Sequence, residues 1–133
     1  MTGKKPCEVL AMVVAERVFR EEDSHNVHIA ATFNQINAKN FPATHSRMHV
    51  YLAIDNVAGK HEARVIIKYS DASEGDAPLA SATTPIEFSD ARKTAEVNVL
   101  FQNVTFPRPG PVDVLFLLDG VCAATRRLQV VKV

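Results

Sequence analysis

The stretch Val112-Asp113-Val114-Leu115-Phe116-Leu117-Leu118-Asp119-Gly120-Val121-Cys122-Ala123-Ala124 decides the fold. Val112, Val114, Phe116 and Leu118 alternate with Asp113, Leu115, Leu117 and Asp119. Successive side chains of a strand point to opposite faces, so this period of two predicts one packed face and one wetter face. Asp119-Gly120 tolerates the positive φ values of a type I′ turn and predicts a hairpin into Val121.

The same period recurs outward from this hairpin. It appears at Val27–Asn34, Met48–Asp55, Ala63–Ser70 and Thr94–Phe101. Pro109-Gly110 predicts a turn before Val112, and Asn56-Val57-Ala58-Gly59 predicts another hairpin. Val9–Phe19 is nearly continuously apolar up to Glu16 and reads as a strand. Leu79–Phe88 contains Pro85, which cannot donate to a ladder, and so reads as an edge or bulged strand. Val121–Val131 closes the chain as a strand. Together these segments predict an all-β chain. The expected architecture is a single antiparallel β-sandwich of about seven or eight strands, immunoglobulin-like or of related Greek-key topology, with a small closed barrel as the alternative. Residues 1–7 are expected to form a flexible tail on a single domain spanning 1–133.

Length and charge narrow the function classes. The 133 residues suit one domain of ordinary size. Fifteen basic residues balance 15 acidic ones, and 47% of residues are hydrophobic. This composition excludes an acidic disordered chain, and its neutrality argues against nucleic acid as a partner. No apolar run reaches the ~18 residues of a membrane helix. Lys4-Lys5 followed by Val9–Val14 imitates a signal peptide, but the run meets Glu16-Arg17 without a small-residue cleavage site, so a cytoplasmic location is expected. Cys7 and Cys122 are too few for a disulfide framework and read as reduced thiols.

No catalytic motif stands out, and no cofactor is expected. There is no nucleophile-elbow pattern and no phosphate-cradling glycine loop. His45 and His49 are four apart, a metal spacing on a helix, yet on a strand they lie about 13 Å apart. Asp55 and Asp119 sit in predicted turns, where calcium ligands and ordinary turn aspartates both occur. Those four residues form the candidate site of a small-ligand or metal-binding reading. The apolar surface carries the stronger one. Leu115 and Leu117 fall on the wetter face of their strand, and Ile66 and Leu100 do likewise on theirs. Such residues exposed together would form an unusual patch unless a long loop, Asn34–Arg47, or another subunit covers them. The chain therefore reads as a non-catalytic intracellular binding or assembly module acting through its sheet faces. Its expected partner is itself, as a homo-oligomer, or another protein, rather than nucleic acid or membrane.

Three stretches also carry a resemblance. They are Val18-Phe19-Arg20-Glu21-Glu22, then Ile29–Tyr51 with its inner Phe41-Pro42, then Phe106-Pro107-Arg108-Pro109-Gly110 leading to Asp119-Gly120. This ensemble resembles an uncharacterised family of short bacterial proteins, a domain of unknown function. The resemblance implies a sandwich and implies no activity.

Overall fold

A computed structural model describes residues 7–133. Among them it places nine strands and no helix: β1 Glu8–Arg20, β2 Val27–Thr32, β3 Gln35–Ala38, β4 Ala43–Asp55, β5 Gly59–Tyr69, β6 Ala80–Phe88, β7 Ala95–Phe106, β8 Gly110–Leu118 and β9 Val121–Lys132. They form two sheets, ordered β2-β1-β4-β7 and β3-β9-β8-β5-β6. The period-two residues meet between the sheets. Met48, Val50, Leu52 and Ile54 of β4 are fully buried, as are Val112, Val114, Phe116 and Leu118 of β8, in one contiguous apolar cluster. Cys7 belongs to that cluster as well. The rest of the expected tail, residues 1–6, lies outside the described residues.

The turn chemistry acts as its residues dictate. Asp119 and Gly120 adopt φ values of 51° and 80°, the left-handed pair that a type I′ turn requires. Pro85 sits in β6, an edge strand, where its missing N–H breaks no interior ladder.

Two expectations need correction. The strands number nine because β3 lies inside the segment read as a covering loop. Its alternation is only four residues long, but Ile36 is buried and Gln35–Ala38 pairs with Gln129–Lys132. That pairing is parallel, so the sheets are not wholly antiparallel. It arises because the chain leaves β2 at the edge of one sheet and enters β3 at the edge of the other.

The end of β1 folds back on its own sheet. Ala11, Ala53 and Glu96 stand level across β1, β4 and β7. A straight strand would carry Arg20 roughly 30 Å beyond Ala11. Yet Arg20 Nη2 lies 3.0 Å from Glu96 Oε1. The β1–β2 hairpin therefore curls over the outer face of the four-stranded sheet. Ala15 and His49, both on that face, are buried, with His49 only 5% exposed.

Candidate functional site

Wherever two sheets pack, their sides leave seams. One seam here lies between β1 and β9. β2 pairs with β1 only from Ala15 to Arg20, and β3 pairs with β9 only from Gln129 to Lys132. Beyond those limits, Glu8–Val13 and Val121–Arg126 have no strand partner on their outer edges among the described residues. Their outward N–H and C=O groups form two hydrogen-bonding rows.

A groove of about 820 Å³ lies between these rows, within the size range of ligand sites. Cys7 to Met12 line one wall, with Asn56, and Ala123 to Arg126 line the other. Each wall carries a β-bulge. Leu10 is the extra residue of β1 against β4, and Ala123 is the extra residue of β9 against β8. A bulge bends its strand and re-aims side chains, and such bulges concentrate at rims and binding sites. Leu10 is thereby turned out, 52% exposed. Val9 and Met12 face the core and are partly buried against it. Burial pushes the Cys7 thiol up from its ordinary range, which keeps it protonated beside the groove. The groove thus offers backbone hydrogen bonding beside a mixed lining, with Glu8, Asn56, Thr125 and Arg126 among its apolar residues.

The expected interface residues divide. Ile66 and Leu115 stand directly opposite on β5 and β8, with Leu117 beside them opposite Arg64. All three are half-buried. Neighbouring charged side chains hold that face: Arg64 bonds Ser81 Oγ at 3.1 Å, and Arg127 pairs with Asp113 at 3.0 Å. Leu100 does not join them. It lies on β7 in the other sheet, opposite His49. Strand order separates it from the rest, and alternation within a strand does not reveal strand order.

The four metal candidates are likewise apart. The His45 ring tilts against Phe33, with centroids 5.0 Å apart. His49 Nδ1 lies 3.2 Å from Asn98 Oδ1. Asp55 accepts a hydrogen bond from Thr94 Oγ1 at 2.6 Å. Asp119 meets His61, a residue that sequence reasoning did not single out. Among the described residues no three His, Cys, Asp or Glu are grouped to hold a metal ion.

His61 and Asp119 form a staple instead. His61 Nδ1 lies 2.5 Å from Asp119 Oδ2, and its Nε2 lies 2.7 Å from the Ala58 carbonyl. Both ring nitrogens face acceptors, which favours the doubly protonated ring. The bond to Asp119, then that to Ala58, raises the His61 pKa. The Glu62 N–H, then His61, lowers that of Asp119. The staple ties the turn before β5 to the β8–β9 turn. No residue of the sequence flags it, because the partners are 58 positions apart.

Beneath the folded-back hairpin, Tyr51 of β4 donates to Glu96 of β7, which also pairs with Arg20 of the hairpin. Burial, reinforced by the bond to Glu96, pushes the Tyr51 hydroxyl up to about 12. The bond from Tyr51 holds Glu96 below its ordinary value. This trio clasps the hairpin and remains charged only at Arg20 and Glu96 at neutral pH.

A family model described as a family of unknown function, DUF6941, matches residues 10–131. No curated protein matches the chain. Among solved structures, it is similar to the Pseudomonas fluorescens alkylpurine DNA glycosylase AlkC bound to DNA containing an abasic site analog. Identity is 11%, the TM-score is 0.58, and the match covers 97% of this chain but 31% of that one. The likeness shows the fold. It also corrects the exclusion of nucleic acid drawn from net charge, since this fold occurs within a protein bound to DNA. A balance of 15 against 15 averages over the whole surface and says nothing of local patches. No helix among the described residues is long and apolar enough to cross a membrane, which leaves β-barrels unaddressed.

Proposed function

The chain belongs to that family, DUF6941; we propose that it is a non-catalytic binding and assembly module, homo-oligomeric, whose docking element is the open β1–β9 seam. The observation that carries this reading is the convergence, among the described residues, of two unpaired strand edges and two bulges on one groove. Exposed strand edges recruit further strands, the basis of recognition by β-augmentation. The half-buried Ile66, Leu115 and Leu117 face supports the reading less strongly, because charged side chains already flank it.

The architecture that best accommodates the strand order is an immunoglobulin-like β-sandwich forming one domain. The parallel pairing of an early strand, β3, with the last strand, β9, supports this. The free thiols of Cys7 and Cys122 support a reducing, cytoplasmic setting.

Sedimentation across a concentration series tests the function. Assembly predicts a mass that climbs from one chain to a discrete multiple. A single-chain mass up to high micromolar concentration overturns it.

A further inference from the structure

Every other free edge in the described fold carries a device against pairing. β6 contains Pro85, and β3 is only four residues long. β2 and β7 are interrupted by left-handed residues, Ala31 at φ 60° and Asn103 at φ 56°. On β9, Arg126 places a charge on the free stretch and projects into the seam opposite Val114. Prolines, charges, bulges and short length are the means by which proteins blunt edges. β1 differs. Its free stretch Glu8–Val13 carries one charge, at its first residue, and one bulge, at Leu10, but Val9-Leu10-Ala11-Met12-Val13 has neither charge nor proline.

That bulge gives the edge a symmetric face pattern. Through pairing with β4, Val9 and Met12 stand on the core side, opposite Ile54 and Leu52. Ala11 and Val13 stand on the outer side, opposite Ala53 and Tyr51. Glu8, opposite Asp55, also faces out, and Leu10 is turned out by the bulge. From Glu8 to Val13 the order is out, in, out, out, in, out, which reads the same in both directions. A two-fold axis perpendicular to the sheet superimposes such a segment on itself with every face matched.

We propose that β1 is the docking edge for a second copy of this chain, paired antiparallel about that axis. Val9 then stands opposite the second copy's Met12, Leu10 opposite its Ala11, and Glu8 opposite its Val13. Neighbouring registers set core-side residues against outer-side ones and lose the match. The pairing joins two four-stranded sheets edge to edge. It satisfies the free backbone groups of Glu8–Val13 and covers Val9, Leu10 and Met12. Zero net charge leaves little repulsion between copies. This inference rests on the assembly reading and names its partner and register.

Oxidative cross-linking tests it in the full chain with Cys7→Ala and Cys122→Ser, each variant first checked for a native circular dichroism spectrum. Opposed residues of an antiparallel pair have Cβ atoms about 5 Å apart, near disulfide reach. A mixture of the Val9→Cys and Met12→Cys chains is expected to form a covalent dimer. Val9→Cys alone, or either chain mixed with Thr83→Cys on the β6 edge, is expected to form none. Leu10→Lys, on an exposed side chain, is expected to weaken association about tenfold or more. If sedimentation shows a dimer but positions 9 and 12 do not cross-link and Leu10→Lys is without effect, this register and edge are overturned while the assembly reading stands. If the wild-type chain sediments as a monomer throughout, both fall.

Discussion

The molecule has two seams, and they are finished differently. Along the β6–β7 side, Phe88 closes the core and is buried, Pro85 interrupts the edge, and Thr94 and Arg92 bond Asp55 and Asp90 around the loop. Along the β1–β9 side, the covering strands β2 and β3 stop halfway and leave bulged walls. Both seams are made of the same kinds of strand from one chain. The difference shows that a fold protects edges by local choices of proline, charge and strand length, and that an edge with fewer of them stands out against the rest.

Substitutions at the two seams should separate them, and the largest effect belongs to the finished one. Phe88→Ala is expected to destabilise folding by about 3 kcal/mol through lost burial and a cavity, whereas Leu10→Ala is expected to change monomer stability by less than ~0.5 kcal/mol. Urea denaturation at low protein concentration measures both. Equal losses would erase the contrast between the seams. Second in size is Pro85→Thr, which restores an N–H donor to the β6 edge. Light scattering is expected to show species larger than the wild-type assembly, and an unchanged mass would mean that Pro85 is not what guards this side.

Next comes the staple beside β6, where His61 packs against Phe88 with ring centroids 6.1 Å apart. The folded His61 pKa is raised, so its contribution is full below the unfolded value of about 6.5 and is lost as pH rises through the folded value. The folded Asp119 pKa is lowered, so its contribution is present above about 3.9 and is lost as pH falls through the folded value. Both act together between roughly pH 4 and 6.5. Asp119→Ala is expected to flatten the loss of thermal stability that follows as pH rises past neutrality. A parallel pH profile for wild type and variant would show that the staple contributes nothing there. The smallest effect is expected from the hairpin clasp. Glu96→Gln removes a partly exposed ion pair and should cost about 0.2–1 kcal/mol, read as a small shift in urea midpoint.

How much of this was legible in the sequence depends on the distance over which each feature is determined. Alternation such as Met48–Asp55, the Asp119-Gly120 turn and the edge placement of Pro85 are local, and the structure repeats them. The gathering of Ile66, Leu115 and Leu117 without Leu100 depends on strand order, which alternation does not encode. β3 is hidden because Gln35-Ile36-Asn37-Ala38 offers one large apolar residue, and its partner strand is the last in the chain. The bulges at Leu10 and Ala123 exist only relative to β4 and β8. A sequence that reads as continuous apolar strand therefore conceals the residues that shape the groove. Neutral net charge does not exclude nucleic acid and bears instead on how readily copies approach.

Hydrogen–deuterium exchange at dilute and concentrated protein tests the contrast between the seams most directly, because it reads the backbone groups that edge pairing would satisfy. The expected result is slower exchange on concentration for the amides of Glu8–Val13, with Ala80–Phe88 of β6 unchanged. Exchange in Glu8–Val13 that is independent of concentration, or protection appearing on β6 or along Leu115 and Leu117 instead, would contradict β1 as the edge through which this chain assembles.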